Sequence, residues 1–524
     1  MKYNNRYYFF LLPIFSFIYC IYYSLYFYDG YHFGLIYSNA VDLNNGKLPY
    51  KEIFIEYGYL TTFIHAFILK IFGNEVFYLQ IFTGLIYSIS ITLIGFIVKK
   101  FTNLNYGLFS IISLFLIYPI PLKPWPIYNS YFFYTLSLFF FIKEGNKYKI
   151  LSGIFLSFAY LSFTTVYNYV IIFLILFLSL YYFLFLKEKN KIIDLKFFLL
   201  GLFFPLFLFF LFLVKNDIFD NWIIYQKLPI LFQLVIAEKN IIEQVMFFLK
   251  EISISAIKNF IVEPYQIFFG IIFYIICFFI LKNIYLKFTN KYKYINSSNL
   301  IIVSIFALSI TPHAQIGGIE KMSTSLSLGL IVLLTLIYQI KTIEYKYFIF
   351  SFLIFTILLI VNNNYHYPEY SSFIVNTKDK IYNPKKINYF NKQKWDHKEW
   401  EVINGIIDNS KSIKKVCGIN LSANLTGDSF FYSILEKKIQ LIPFFFKSHG
   451  NLMRDIIEPN LVSNIQEKIN NNKIFLIVSE NHDKLFELKN YSIIKEYNID
   501  KRKSLKLRSV YILVPNKCFN KINS

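Results

Sequence analysis

The stretch LKFFLLGLFFPLFLFFLFLV, residues Leu195–Val214, contains a single charged side chain, that of Lys196. About 20 apolar residues, each adding 1.5 Å to a helix, are needed to cross the roughly 30 Å of bilayer hydrocarbon. Tyr265–Leu281 has the same character with no charge at all. Such runs recur along a chain that is 56% hydrophobic and 16% charged, whereas soluble domains are about 25% charged. The sequence therefore predicts a polytopic α-helical membrane protein.

The long apolar runs predict about eleven transmembrane helices. The run at 149–186 is too long for one span, and the polar residues between Thr164 and Asn168 predict a hairpin that divides it. The predicted spans are 8–27, 75–98, 105–122, 127–143, 149–165, 167–186, 194–214, 265–282, 298–312, 323–340 and 346–361.

Lysines in the loops predict the orientation of these spans. They are concentrated in alternate loops, at 99–100, 143–149, 187–191, 282–293 and 341–346. Because Lys and Arg accumulate in cytoplasmic loops, we expect the N-terminus to be cytoplasmic. An odd number of spans then places the C-terminal tail outside the cytoplasmic (inner) membrane.

The formal net charge of +21 does not indicate nucleic-acid binding. The lysine-rich loops account for it, and neither an Arg-rich stripe nor an aromatic–basic nucleic-acid module is visible. We expect membrane lipids as partners and no nucleic acid. Of the four cysteines, Cys20 and Cys277 lie in predicted spans, whereas Cys417 and Cys518 lie in the tail. Whether the latter two pair depends on their separation in space, which the sequence leaves open.

Three segments on the predicted outer side are long enough to carry function. The first, residues 28–74, includes the amphipathic stretch Leu60–Phe72, which has the pattern of an interfacial helix. The second is Lys215–Pro264, and the third is the tail. The predicted division is thus a transmembrane domain, 1–361, and an extracytoplasmic α/β domain, 362–524. In the tail, the expected helices are Lys398–Asp408, Ser429–Lys437 and Asn460–Asn470, and the expected strands are Val416–Leu421, Lys473–Ser479 and Val510–Val514.

The first outer segment carries the most informative motif, YDGYHFGLIYSNAVDLNNGKLPYKEIFIEYGYLTT, from Tyr28 to Thr62. It resembles the first extracytoplasmic loop of the GT-C glycosyltransferases, such as the protein O-mannosyltransferases and the lipid A aminoarabinose transferases. The resemblance rests on an acidic residue after span one (Asp29), a G-x-x-P-Y turn (Gly46–Tyr50) and a Y-G-P-L segment (Tyr57–Leu60). It extends more weakly to Lys123–Asn129. Many members have an acidic pair where this chain has Asp29 and Gly30, and Tyr59 replaces the proline of Y-G-P-L.

The resemblance implies transfer of a sugar from a polyprenyl-phosphate carrier to a glycan, lipid or protein acceptor at the outer membrane face. An attacking hydroxyl needs a general base, and the resemblance favours Asp29 for that role. A structural alternative is that Asp29 caps the following helix. Glu56 is the second candidate, either for positioning the acceptor or for binding a metal, unless it is simply a solvated loop carboxylate.

Charge that develops on the departing phosphate requires cationic or metal stabilisation. The turn at 311–321 offers Lys321 and His313, and the segment before span four offers Lys123. The alternative is that these are solvated or interfacial side chains. His32 and His65 could join Glu56 around a divalent metal, although an isolated histidine is more often a hydrogen-bonded neutral group. The sequence leaves the need for a metal open.

Two other functions fit a polytopic envelope protein. A glycan polymerase would be expected to place its main outer loop between spans and to use arginines there, whereas the largest outer piece here is the tail. A flippase or transporter would be expected to carry ionisable residues within its spans, and the predicted spans are nearly free of them.

Overall fold

The structure is a computed structural model that describes 7–26, 30–53, 55, 57–118, 123–185, 189–226, 246, 249–250, 253, 264–289, 298–314, 319–366, 397–425, 438–439, 466–479, 487–498 and 509–523. The described residues are mainly helical up to position 366 and form a mixed helix–sheet unit after position 396. The helices of the first part are α1 Tyr8–Ser24, α2 Gly30–Asn44, α3 Tyr59–Phe72, α4 Val76–Phe101, α5 Leu104–Ile117, α6 Pro126–Phe141, α7 Asn146–Ser162, α8 Thr164–Phe185, α9 Lys189–Lys215, α10 Pro264–Phe288, α11 Ser298–Ser309, α12 Ile319–Leu326, α13 Gly329–Gln339 and α14 Ile343–His366.

The apolar runs of the sequence are helical in the structure. Among the described residues, four helices are individually long and apolar enough to cross a membrane, namely Val76–Phe101, Asp194–Lys215, Pro264–Phe288 and Ile343–Asn362. Several shorter apolar helices accompany them, and the long run at 149–186 divides at Phe163 as the hairpin prediction requires. The chain is therefore a multi-pass membrane protein, while the total of eleven spans stays a prediction. The run at 323–340 differs, because it is broken between α12 and α13.

Small residues allow two of the helices to cross at very short range. A Cβ atom on Gly153 of α7 would lie 2.5 Å from the backbone nitrogen of Leu202, and one on Gly201 of α9 would lie 2.8 Å from the carbonyl carbon of Ile150. Where lipid replaces water, close backbone packing of this kind is a main source of helix association. Ser157 adds a hydrogen bond from its hydroxyl to the carbonyl of Leu202. The α7–α9 pair thus depends on glycine at both crossing positions.

Helix α6 lies at the centre of the bundle and is fixed by tyrosine hydroxyls. Tyr128 bonds the hydroxyl of Tyr118 at 2.8 Å, and Tyr134 donates to the carbonyl of Phe306 in α11 at 3.0 Å. Tyr131 reaches the hydroxyl of Ser327 at 2.7 Å, at the break between α12 and α13. Since buried hydroxyls need partners, these bonds set the position of α6 relative to its neighbours.

Helix α3 has two unlike faces. Thr62, His65 and Leu69 are buried against the protein, whereas Phe63 and Phe67 are about half exposed, at 49% and 58%. Fourteen residues are too few to span a bilayer, and the apolar outer face suits the boundary between headgroups and acyl chains. The amphipathic helix predicted at Leu60–Phe72 is therefore present, extended by one residue at its start.

The tail contains a five-stranded sheet with a helix before it and a helix after it. The elements are α15 His397–Cys417, β1 Leu421–Leu425, β2 Lys438–Ile439, β3 Ile474–Ser479, β4 Tyr491–Asn498, β5 Ser509–Pro515 and α16 Asn516–Asn523. The strand order in the sheet is β2-β1-β3-β5-β4. Strands β2, β1 and β3 run parallel, and β5 pairs antiparallel with both β3 and β4.

The predicted tail elements were partly correct. The strands expected at Lys473–Ser479 and Val510–Val514 are β3 and β5, and the helix expected at Lys398–Asp408 is the first part of α15. The strand expected at Val416–Leu421 was wrong, because α15 includes Val416 and ends at Cys417. The next residue, Gly418, has a φ of 69°. Left-handed glycine is the usual residue after the last helical turn. Ser429–Lys437 lies outside the described residues, as does the first half of Asn460–Asn470.

Cys417 and Cys518 form a disulfide, with their Cα atoms 5.5 Å apart. The bond joins the end of α15 to α16 across 101 positions of sequence. An apolar cluster also connects this unit with the first outer segment. It contains Tyr37, Leu69 and Val76 together with Val402, Ile403 and Val510. The tail unit therefore lies on the same side of the bundle as α2 and α3.

Candidate active site

Trp125 brings three separately predicted segments together. It is the residue before α6 and is buried. The ring of Tyr57 packs edge-on against it with centroids 6.2 Å apart, and the ammonium of Lys321 lies 5.2 Å from the centroid of its ring. A cation over a tryptophan face is attracted by the negative charge of that face. The Tyr57–Gly58 turn, the Lys123–Asn129 segment and the start of α12 thus meet at one point.

The Tyr57–Gly58 turn is clamped by the junction between α7 and α8. The hydroxyl of Thr164 donates to the carbonyl of Tyr57 at 2.7 Å, and the hydroxyl of Thr61 donates to the carbonyl of Ser162 at 3.0 Å. The glycine is required by space, because a Cβ atom at position 58 would lie 2.5 Å from the carbonyl oxygen of Leu161. The clamp fixes the start of α3 and the Tyr57 ring that packs on Trp125.

We predict that Gly58→Ala displaces the Tyr57 turn, because the new methyl group overpacks the junction between α7 and α8. Overpacking of this kind costs about 1–3 kcal/mol of unfolding free energy. Thermal unfolding in detergent measures that loss, and amide hydrogen exchange at residues 57–62 measures the displacement of the turn.

Gly73→Ala is the matched control for that variant. It lies at the other end of α3, where a Cβ atom would meet nothing closer than 3.7 Å, although its φ of 109° is unfavourable for alanine. We expect it to lose stability while leaving amide exchange at residues 57–62 unchanged. Equal exchange at these residues in the two variants would contradict the displacement of the Tyr57 turn.

The predicted cationic residues are placed as follows. Lys321 is half-buried at the start of α12, and Lys123 is half-buried at a tight turn in which its carbonyl accepts the N–H of Trp125 at 2.7 Å. His313 is part of a 3-10 helix, Thr311–Ala314, and its side chain lies outside the described residues. The structure therefore brings Lys321 and the Lys123 segment together at Trp125.

The two predicted carboxylates, Asp29 and Glu56, lie outside the described residues. Their chain neighbours meet, however, around a small cavity of about 10 Å³. The cavity is lined by residues of α2, of the turn at 55–58, of α3 and of the start of α6: Ile36, Asn39, Ile55, Tyr57, Gly58, Thr61, Thr62 and Pro126. Its volume is sufficient for one water molecule. Helix α2, the described residues Ile55 and Tyr57, and the start of α6 thus meet beside the Trp125 cluster.

His65 does not form a metal site with described residues. It is fully buried, and its Nε2 atom lies 3.5 Å from Nδ2 of Asn129 on α6. Burial lowers the pKa of His65 to about 3, so the imidazole is neutral at physiological pH. In the part of the chain that the structure describes, no group of three His, Cys, Asp or Glu side chains could hold a metal ion. Glu56 and the side chain of His32 are not in that part.

Sequence reasoning missed two features of the first outer segment. The buried carboxylate of Asp42 forms an ion pair with Lys47 at 2.9 Å, which closes the turn before Pro49. Asn221 of the second outer segment donates to the carbonyl of Tyr50 at 3.1 Å. The i, i+5 spacing of the Asp–Lys pair around Gly46 offered a weak signal for the first feature, and nothing in the sequence signalled the second.

Comparisons with known proteins address the fold. No family model matches the chain, and no curated protein matches it by sequence. The structure is similar to the crystal structure of ArnT from Cupriavidus metallidurans bound to undecaprenyl phosphate, with a TM-score of 0.54 and 10% identity, covering 96% of this chain and 97% of that one. The chain has the GT-C fold.

Other solved structures with the GT-C fold are more distant. ArnT from Cupriavidus metallidurans in the apo state gives a TM-score of 0.46 at 10% identity, covering 97% of this chain and 98% of that one. The Archaeoglobus fulgidus oligosaccharyltransferase in complex with Zn and sulfate gives 0.45 at 10% identity, covering 89% and 68%. The fold assignment rests on the first match alone. It confirms, at the level of the fold, the resemblance that the first outer segment indicated.

Proposed function

We propose that the chain transfers a sugar from a polyprenyl-phosphate carrier to an acceptor at the outer face of the cytoplasmic membrane. The observation that carries the proposal is a convergence at Trp125 in a chain with the GT-C fold. The Tyr57 turn and the Lys123–Asn129 segment, which resemble GT-C motifs, meet there with the ammonium of Lys321. A similar protein, ArnT, was solved with undecaprenyl phosphate bound, which supports a lipid-phosphate carrier here.

Two observations support an extracytoplasmic tail, 362–524, attached to a transmembrane domain, 1–361. Disulfides persist in oxidising compartments outside the cytoplasm, and Cys417–Cys518 is such a bond. The apolar cluster that joins Tyr37 and Leu69 to Val402 ties the tail unit to the first outer segment. Together with the lysine-rich loops, they favour the orientation in which α2, α3 and the tail all face outward.

The proposed chemistry assigns one role to each group. The acceptor oxygen bonds to the anomeric carbon of the sugar while the bond from that carbon to the phosphate oxygen breaks. The hydroxyl proton passes to the carboxylate of Asp29, and polyprenyl phosphate departs. Lys321, with Lys123 and His313, stabilises the charge that appears on the phosphate. Glu56 positions the acceptor or contributes to a divalent metal site.

The surroundings of the site suit a carrier whose tail remains in lipid. The exposed row on α3, Phe63, Phe67 and Ile71, faces away from the protein beside the clamped turn. At the start of α3, the ring of Tyr59 stacks on Phe209 and Phe212 of α9 with centroids 5.7 and 5.2 Å apart. A prenyl chain alongside these helices stays in hydrocarbon while its phosphate reaches the cluster at Trp125.

Lys321→Ala tests the proposal directly. Removing one cation that stabilises developing charge costs about 10²–10³ in rate, so we expect kcat/KM for the carrier to fall by that factor. The assay measures sugar release from radiolabelled polyprenyl-phosphate sugars by purified protein in proteoliposomes. If the wild type releases no sugar from any of these radiolabelled carriers, the proposed function is refuted. Transport of envelope glycans is then the next hypothesis to test.

Lys346→Ala is the matched control. Lys346 also lies over aromatic rings, 5.3 Å from Tyr338 and 5.8 Å from Tyr106, but in the first turn of α14, at the side predicted to be cytoplasmic. We expect this variant to transfer sugar as the wild type does. If both variants lose transfer equally, the effect of Lys321 is on folding rather than on the carrier phosphate.

A further inference from the structure

Tyr50, the last residue of the G-x-x-P-Y turn, has a backbone conformation that a bulky side chain rarely adopts. Its φ is 62°, and its side chain is 2% exposed. A left-handed tyrosine is a genuine outlier, because its Cβ atom crowds the following carbonyl. Such conformations persist only where the surroundings over-determine them, and they concentrate at functional sites.

Hydrogen bonds within the first outer segment form part of these surroundings. The N–H of Tyr50 donates to the carbonyl of Ile53 at 3.1 Å, and the N–H of Ile53 donates to the carbonyl of Leu48 at 3.2 Å. The Asp42–Lys47 ion pair closes the preceding turn. These contacts shape the turn, but none of them fixes it relative to the rest of the protein.

The second outer segment supplies that attachment. Asn221 donates from Nδ2 to the carbonyl of Tyr50 at 3.1 Å, and the ring of Tyr225 packs against the ring of Tyr50 with centroids 5.5 Å apart. Both residues belong to a helical turn at 219–226, immediately after α9. Ile53 and Ile55 lie in the same apolar cluster as Ile218 and Tyr225.

The segment between the turn and α3 is thus held at two ends by different parts of the chain. At its far end, Tyr57 is clamped by Thr164 and packs on Trp125. At its near end, it begins at Ile53, which hydrogen-bonds to Tyr50, and Tyr50 is held by Asn221. Between these ends, Ile55 belongs to the same apolar cluster as Tyr50 and Tyr225, so displacement of the Tyr50 turn also disturbs the packing of a residue two positions before Tyr57.

We infer that Asn221 and Tyr225 form a latch on the Tyr50 turn, and that the latch positions Tyr57 against Trp125 for sugar transfer. Asn221 and Tyr50 are therefore positioning residues, and the second outer segment takes part in the reaction without touching the reacting atoms. This inference rests on the proposed function. Its physical basis is that reaction rates depend steeply on the placement of the groups around the reacting centre.

Asn221→Ala tests the latch, and Asn216→Ala is its matched control. Asn216 also donates from Nδ2 to a backbone carbonyl, that of Phe212 at 2.8 Å, but within its own helix turn. We expect Asn221→Ala to lower kcat about 10-fold while leaving KM for the polyprenyl-phosphate sugar within about twofold, since the Trp125–Lys321 contact is untouched. Asn216→Ala is expected to match the wild type in both constants.

Amide hydrogen exchange gives a readout that needs no substrate. In Asn221→Ala, the amides of residues 50–58 are expected to exchange at least about 10-fold faster than in Asn216→Ala, because opening of the turn no longer breaks the long-range bond. Equal exchange in the two variants overturns the latch. Faster exchange with unchanged kcat overturns its role in transfer. If the wild type transfers no sugar, the proposed function fails, and exchange alone then decides whether Asn221 orders the turn.

Discussion

Asp29→Asn is expected to abolish sugar transfer while leaving membrane insertion intact. A positioned general base accelerates a reaction about 10²–10⁴-fold. The amide of asparagine has the same shape as the carboxylate but cannot take the proton from the attacking hydroxyl. The rate should therefore fall by a factor in that range at saturating carrier, with KM for the carrier nearly unchanged. The measurement is the rate of sugar transfer by each purified variant in proteoliposomes. The rate is normalised to the amount of folded protein, which size-exclusion chromatography determines.

The position of Asp29 in the chain is the reason to expect so large an effect. It immediately precedes α2, whose residues Ile36 and Asn39 line the small cavity beside the Tyr57 turn. The family resemblance assigns the base to the same position.

Glu52→Gln serves as the control for a carboxylate in the same outer segment. Glu52 accepts the N–H of Leu48 through Oε2 at 2.7 Å in an exposed turn, which is a structural role. We expect this variant to keep most of its transfer activity. If Asp29→Asn is as active as Glu52→Gln, Asp29 is not the base and Glu56 becomes the carboxylate to test.

Removing the Cys417–Cys518 disulfide is expected to produce the largest loss of stability. The bond closes a loop of about 100 residues, since its cysteines are 101 positions apart, and the chain-entropy model gives about 4.7 kcal/mol for a loop of that length. Native disulfides typically contribute about 2–5 kcal/mol. Cys417→Ser should therefore unfold the tail at much lower denaturant concentration, as measured by urea titration followed by limited proteolysis.

Cys277→Ser is the control, because Cys277 is a half-buried free thiol in α10. Its loss should leave the urea midpoint of the tail unchanged. Alkylation under denaturing conditions checks the bond itself. Protein purified from its membrane should react at Cys20 and Cys277 without a reductant and at all four cysteines after reduction. Four reactive thiols without a reductant would show that the bond is absent and would remove the argument for an oxidising compartment.

The membrane helices were predictable because their signal is local. A run such as Leu195–Val214 needs no information from elsewhere to be recognised as a span, and its helix is present as part of α9. The division of 149–186 was also correct, since a helix of that length has no place in one bilayer crossing. The break between α12 and α13 was not predicted. The contact found there, between Ser327 and Tyr131 of α6 at 2.7 Å, joins residues 196 positions apart, so local sequence does not reveal it.

The site was predictable only in its separate parts. The motifs named Lys321, Lys123 and the Tyr57 turn, but their meeting at Trp125 depends on helix packing that no motif encodes. The Asn221–Tyr50 bond joins positions 171 residues apart, so periodicity and turn chemistry contain no trace of it. In the tail, the end of α15 was placed too early because the run Val416–Leu421 is apolar enough for a strand, while Gly418 marks the true boundary.

The bond between the ends of α15 and α16 turns everything between Cys417 and Cys518 into a covalent ring that contains the whole sheet. The segments between the strands in this ring can lengthen without moving the disulfide that closes it. Doubling the length of a flexible loop costs only about 0.6 kcal/mol, and an insertion between strands would leave the bond between α15 and α16 in place. The ring therefore allows the segments between strands to change in length while the apolar cluster that connects the tail with the first outer segment is kept.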